Sequence, residues 1–287
     1  MSVKGLPPAV LEALREFLNE DIRSGDITTE ALGPLNATAV GTVLAKTKTI
    51  IAGLEEAASI ADISGLTYEV LVFEGNWVAP REPVIRLKGP AKTLLATERV
   101  ILNIIMRMSG IATKTYNMVQ AVKRENPKVI VAATRKTTPG FRYFEKRAVE
   151  IGGGDPHRYA LDDMVLIKNN HIAVVGSITQ AMQKVRDSIS FTKKVSCEAR
   201  DLQEALEAAE AGADIVLLDN MSPKDIENVH KVLTQRGLRD KVILEASGGI
   251  DEENVRAFAR CGVDVISSGA ITHSYTSSNF SMSLSLA

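Results

Sequence analysis

The amino-acid sequence predicts an α/β fold, an incomplete, seven-stranded β/α barrel joined to an N-terminal α+β sandwich domain. Three observations lead there. From about residue 128 onward, short apolar runs alternate with helix-like stretches. Each apolar run closes on a polar residue: Arg135 and Lys136, Lys168, Glu198, Asp219, Glu245 and Ser268. Residues 1 to about 112 lack this rhythm and mix helices with strands of another kind. The second observation separates two architectures, because a barrel gathers all its strand ends at one mouth whereas an open sheet spreads them along an edge.

In the first part, helical spacing marks 7–19, 54–63 and 91–121, while 37–51, 68–73 and 83–87 read as strands. The helix beginning near Ala91 leads into the barrel. The barrel strands are 129–134, 164–168, 194–198, 215–219, 242–247 and 263–268. Their nearly continuous apolar character fits parallel strands with neither face left to water. Between them, 201–211 repeats Leu and Ala at helical spacing and stops at Gly212. Ser222 and Pro223 supply a cap and a first-turn proline, and Asp251 caps a segment ending at Gly262. With a seventh strand near the start, the barrel is one short of eight. Phe280, Met282, Leu284 and Leu286 recur with a period of two, the mark of a half-buried strand, and no helix follows to fit it into the barrel. The domains are therefore 1–112, to which 273–287 returns, and 113–272.

Composition narrows the function. A chain of 287 residues, 45% apolar and 24% charged, can bury two cores. A net charge of -1 gives no concentrated positive field, so neither nucleic acid nor a membrane surface is an expected partner. Cys197 and Cys261 form no Cys-x-x-Cys pair, which suits a reducing compartment and argues against disulfides or zinc. The N-terminus, with Pro7, Pro8 and several carboxylates, does not read as a signal peptide. No apolar run approaches the roughly 20 residues that span a bilayer. A cytoplasmic protein is expected.

The densest site signal lies between Thr134 and His171, where Arg135, Lys136, Arg142, Lys146, Arg147, Arg158 and Lys168 gather with His157 and His171. Cations at a barrel mouth imply a polyanionic ligand, since the arginine fork takes carboxylate or phosphate bidentately and lysine adds a point charge. The ordinary alternative pairs some of them with Glu145, Glu150, Asp155, Asp162 and Asp163 on a solvated face, and weighs most for Lys146 and Arg147. Gly152 to Gly154 form a loop that lets backbone approach a ligand. Ser247, Gly248 and Gly249, then Ser268, Gly269 and Ala270, follow the last two strands, where barrels bind phosphate through backbone N–H groups; ordinary turns are the alternative. Glu198 and Asp219 end neighbouring strands, so they are expected a few ångströms apart. They are candidate ligands for Mg2+ shared with substrate phosphates, or members of a salt-bridge network. His230 and His273 read as surface residues, whereas His157 and His171 are either acid–base or ligand-binding groups or structural ones. Together these features describe a barrel enzyme for a multiply anionic, phosphate-bearing substrate and do not name a reaction.

The same residues resemble the quinolinate phosphoribosyltransferase family along almost the whole chain. The motifs are EDIRSGDITT at 20–29, ERVILNIIMRMSGIAT at 98–113, TRKTTPGFR at 134–142, KRAVEIGGGDPHRYALDDMVLIKNNH at 146–171, LLDN at 217–220, EASGGI at 245–250 and DVISSGAIT at 264–272. The resemblance implies transfer of phosphoribosyl from phosphoribosyl pyrophosphate to quinolinate with decarboxylation, at a homodimer's shared active sites. It implies that Arg135, Lys136, His157, Arg158 and Lys168 form a pocket for the two carboxylates and pyrophosphate. Glu198 and Asp219 then lie near ribose and metal, Lys136 joins them in catalysis, and Ser247, Gly248, Gly249, Ser268 and Gly269 hold the 5′-phosphate. Arg99 completes the neighbouring subunit's pocket. Ser196 stands where an acid is common in the family, and Pro156, Ala160 and Asn169 replace commoner Asn, Gly and Asp, which puts the shape of the His157 loop in question. Competing readings are a superfamily relative associated with molybdenum transport, a Schiff-base lyase using Lys136 or Lys168, and a sensor of a phosphorylated metabolite.

Overall fold

A computed structural model describes residues 5–33 and 35–287; residues 1–4 and 34 of the expected first domain lie outside the described residues. In chain order the first elements are α1 (Pro8–Ile22), α2 (Ile27–Ala31), β1 (Thr38–Ala45), β2 (Thr49–Ile50), α3 (Leu54–Ile63), β3 (Thr67–Val70), β4 (Trp77–Val78), β5 (Pro83–Pro90) and α4 (Ala91–Glu125). There follow β6 (Ile130–Ala132), α5 (Arg142–Ile151), β7 (Val165–Ile167), α6 (Asn169–Val175), α7 (Ile178–Ser188), β8 (Val195–Ala199) and α8 (Leu202–Glu210). The chain ends with β9 (Ile215–Asp219), α9 (Pro223–Gln235), β10 (Ile243–Ser247), α10 (Val255–Ala259), β11 (Val265–Ser267), α11 (Ala270–His273) and β12 (Phe280–Leu286).

The first of two units comprises the described part of Met1–Lys114, with Thr138–Gly153 and Tyr275–Ala287. Its antiparallel sheet has the order β12-β1-β5-β3, beside a β2-β4 ribbon. The period-two strand at the C-terminus pairs with β1 from Ala39 opposite Leu286 to Ala45 opposite Phe280. The strand expected over 37–51 is broken in two, because the β1–β5 ladder shifts register between Val43 and Leu44 and residues 46–48 turn away. In α3, Ala57, Ala58 and Ala61 are wholly buried, so small side chains let this helix lie close to its neighbours. Its first N–H groups, of Gly53 and Leu54, are capped by Glu74 Oε1 at 2.6 and 2.8 Å.

The expected division put Thr138–Gly153 in the barrel, yet this segment belongs to the first unit, and the other boundaries fall at Lys114 and Tyr275. The cause is α5, whose apolar face buries Phe144, Ala148 and Val149. Phe144 packs on Phe17 and Phe141 with ring centroids 5.5 and 4.7 Å apart.

The second unit, Thr115–Thr137 with Gly154–Ser274, holds a parallel sheet of order β6-β11-β10-β9-β8-β7. Neighbours in the chain pair throughout except β6 and β7, and the last strand returns to the first, which is the order of a β/α barrel left open at one place. Six strands form where seven were expected. The seventh place is held by one bridge, in which Asp155 N–H donates to Val131 O at 2.8 Å and Ala133 N–H donates to Asp155 O at 2.9 Å. Three glycines precede Asp155 and Pro156 follows it without an N–H, so the ladder cannot lengthen. Asp201 and Ser222 cap α8 and α9 as expected. Asn254 rather than Asp251 precedes α10, and Asp251 instead accepts the N–H groups of Glu253 and Asn254 in the turn before it.

Candidate active site

Strand register builds the site. Alternate residues of a strand face the same side, and the parallel ladders set Glu198 beside Leu217, Leu217 beside Glu245, and Asp219 beside Ser247. Isoleucines open β9 and β10, and charge replaces them toward the C-terminal ends. There a cavity of about 270 Å3 is lined by eight of the predicted residues: Arg135, Lys136, His157, Arg158, Lys168, Glu198, Asp219 and Ser247. Every residue lining it belongs to the second unit.

Four cations, Arg135, Lys136, Arg158 and Lys168, line this cavity with three carboxylates, Glu198, Asp219 and Glu245. Arg158 is 8% exposed, and one of its terminal nitrogens donates to Met164 O at 3.0 Å. Burial pushes its guanidinium below the ordinary value and the nearby Arg135 adds to this, while Glu198, Glu245 and Asp163 oppose it. Arg135 Nε is buried without a hydrogen-bond partner. A buried orphan of this kind costs about 1–3 kcal/mol, which an anionic ligand would offset. Lys168 Nζ pairs with Glu198 Oε1 at 2.9 Å, and Glu198 Oε2 accepts Asn169 N–H at 3.3 Å. Glu198 is thus partly engaged in a salt bridge, whereas the hydrogen bond seen for the Asp219 side chain comes from neighbouring Asn220, at 3.0 Å.

Glu198 and Asp219 line one cavity, as expected, but stand two register positions apart, roughly 7 Å along the strand direction, rather than the few ångströms expected. Among the described residues no group of three or more His, Cys, Asp or Glu side chains gathers to hold a metal. The pair fits an ion that takes one or two carboxylates and draws its other oxygens from a phosphate ligand.

The turns after β9 and β10 interlock: Gly248 has φ +95°, and a side chain there would collide with Asn220, itself left-handed at φ 56°. A Cβ on Gly269 would lie 2.7 Å from Lys136 Cδ and 2.9 Å from His273 Nε2, so glycine lets both side chains cross that turn. His273, read as a surface residue, is exposed but lies against this loop. Gly249 has open space around it. Ser268 is buried, and its hydroxyl donates to Ile250 O at 2.5 Å, so that proton is used within the fold. Arg99 is exposed on α4 in the first unit and is not among the cavity's lining residues.

Other expectations need correction. Lys146 is wholly buried, and Arg147 pairs with Glu55, Glu56 and Glu74, not with the acids of a solvated face. His171 caps α6, its Nδ1 accepting Lys168 N–H at 2.9 Å. His230 is half-buried and accepts from Arg239 Nε at 3.0 Å. Glu245, read in the sequence only as a polar strand end and given no role in the site, is 2% exposed, lines the cavity and faces His157. Glu245-Ala246 in β10 repeats the Glu198-Ala199 pair of β8, and comparing those positions would have assigned it to the site.

Residues 26–109 match the family model described as quinolinate phosphoribosyl transferase, N-terminal domain, and residues 111–283 match its C-terminal domain. The chain is 48% identical over 265 residues to a probable nicotinate-nucleotide pyrophosphorylase [carboxylating] of Methanothermobacter thermautotrophicus, covering 92% of this chain and 95% of the relative. It is 38% identical to the human nicotinate-nucleotide pyrophosphorylase [carboxylating], covering 97% and 93% of the two chains. The structure of the nicotinate-nucleotide pyrophosphorylase from Francisella tularensis matches with a TM-score of 0.90 at 35% identity, over 99% of each chain.

Proposed function

The chain belongs to the quinolinate phosphoribosyltransferase family, and from that premise we propose how the mouth of the barrel carries out the reaction. The enzyme transfers phosphoribosyl from phosphoribosyl pyrophosphate to quinolinate with decarboxylation, giving nicotinate mononucleotide, pyrophosphate and CO2, a step of NAD biosynthesis. The observation that carries the site assignment is the pair Arg135 and Arg158, one with an orphaned buried donor and the other with its guanidinium pushed down, in a single cavity.

In this reading Arg135 and Arg158 take the quinolinate carboxylates, with His157 beside them. Lys136 and Lys168 face the pyrophosphate. The pyridine nitrogen attacks ribose C1 as the C1–O bond to pyrophosphate breaks, through an oxocarbenium-like state that a neighbouring carboxylate, Glu198 or Asp219, stabilises. Glu198 and Asp219 would hold Mg2+ jointly with phosphate oxygens, which supplies charge neutralisation on the departing pyrophosphate. The C–C bond to the carboxylate next to the ring nitrogen then breaks, CO2 leaves, the electron pair stays on carbon beside the cationic nitrogen, and a proton replaces it. Backbone N–H groups at Ser247, Gly248 and Gly249 and at the Ser268–Gly269 turn take the 5′-phosphate. Ser268 serves through its backbone, because its hydroxyl is engaged.

The reading includes a homodimer in which exposed Arg99 completes the partner's site. A two-fold interface makes two equivalent composite sites. Arg99→Ala and Lys136→Ala are each expected to be nearly inactive, and refolding them together in equal amounts returns activity to roughly a quarter of wild type; a mixture that stays inactive although mixed dimers form overturns the sharing. A cytoplasmic setting is part of the reading, supported by free, buried Cys197 and Cys261, whose thiols burial pushes up to about 12 and 11. No described helix is long and apolar enough to cross a membrane. The function is tested by supplying purified protein with quinolinate, phosphoribosyl pyrophosphate and Mg2+. CO2 and pyrophosphate appear in equal amounts if it is right, and neither appears if it is wrong.

A further inference from the structure

His157 is held in a conformation that its backbone does not favour. Its φ of 55° is left-handed, a region disfavoured for any residue with a Cβ. Its own N–H donates to Asp155 Oδ1 at 2.6 Å, and its ring Nδ1 accepts the backbone N–H of Arg158 at 2.8 Å. A ring that accepts at Nδ1 carries its proton on Nε2 when neutral. That Nε2 points at Glu245, 3.3 Å from Oε2.

Packing does not fix this ring by itself. His157, Arg158 and Glu245 line both the mouth cavity and a second cavity of about 410 Å3, whose other walls include Ile130, Ile215 and Ile243 from the opposite ends of the strands. The three residues therefore form a partition with free space on each side. Glu245 itself is rooted in the middle of β10 and is 2% exposed, so it provides a fixed acceptor. We propose that Glu245 is a positioning residue that, through the imidazole of His157, sets the backbone of Arg158 and so the placement of its guanidinium toward quinolinate. The inference rests on the assignment of Arg158 to a quinolinate carboxylate. It gives His157 a second task, as the link by which a buried residue in the cavity wall governs one that binds substrate.

The test is a set of steady-state measurements with quinolinate on the full-length enzyme. Glu245→Ala raises KM for quinolinate about tenfold with a much smaller change in kcat, as loss of one hydrogen bond to a charged group would. Glu245→Gln, which keeps an acceptor in that place, recovers most of the loss. In a His157→Ala background, Glu245→Ala adds no further change, because the link is already cut. Equal factors in both backgrounds overturn the proposal, as does a lowered Tm with KM unchanged, the signature of a purely structural role. Nitrogen-15 NMR of the His157 ring gives a readout that needs no turnover and no Glu245 variant: the wild-type ring is protonated at Nε2 and accepts at Nδ1. The opposite tautomer sinks the brace. If wild type did not turn over quinolinate, the functional reading would fall while this spectrum still decided the Glu245–His157 contact.

Discussion

Arg147 and Arg158 stand eleven positions apart in the chain, both substantially buried, and their charges are treated in opposite ways. Burial pushes the Arg147 guanidinium down, but Glu56, Glu74 and Glu55 together push it above its ordinary value. Burial also pushes Arg158 down, Arg135 adds to it, and the surrounding carboxylates do not restore it. Around the first arginine the carboxylates outweigh burial; around the second, burial and Arg135 outweigh the carboxylates. A buried cation whose compensation is internal serves the fold, whereas one whose compensation is incomplete serves a ligand that brings the missing charge.

The largest effect that can break this contrast comes from Arg147→Met. Removing the cation strands three clustered carboxylates, of which Glu56 is wholly buried. Stability falls by about 3 to 5 kcal/mol in denaturant titration, while KM for quinolinate in the folded fraction stays as in wild type. A raised KM with intact stability would place Arg147 in the site and erase the distinction.

A smaller effect comes from pH. Glu56 is pushed up to about 7 by burial, against the opposing pull of Arg147. Its folded pKa exceeds its unfolded one, so between the two values the folded state binds more protons. The stability linked to Glu56 is fully present below the ordinary carboxylate range and is lost as pH rises through about 7. Between pH 5 and pH 8 wild type loses on the order of 2 to 3 kcal/mol through this group, and Glu56→Gln flattens that part of the profile. An unchanged profile in Glu56→Gln would assign the pH dependence to other groups.

The contrast between the two arginines was not legible in the sequence, and the reason is physical. Apolar strands and their polar ends are local signals, so six barrel strands and the convergence of Arg135, Lys168, Glu198 and Asp219 on one cavity could be read from residue order. The C-terminal strand was readable for the same reason, since its period of two survives without a partner. The fate of α5 was different. Phe144, Ala148 and Val149 announce an amphipathic helix, but which core receives them depends on Phe17 and on acids near residues 55 and 74, far away in the chain. The position of Asp155 was hidden because its single bridge replaces a strand with no apolar run to mark it. The commitment of the Ser268 hydroxyl and the left-handed backbone of His157 are likewise products of tertiary contact.

If Arg158 is held for substrate, calorimetric titration of quinolinate into wild type and Arg158→Met, with Tm measured on the same samples, reveals it. Affinity then falls by about 2 to 4 kcal/mol, the loss of a charge-assisted contact, while Tm holds or rises because a cation disfavoured by burial and by Arg135 has been removed. Retained affinity together with a fall in stability like that of Arg147→Met would contradict it.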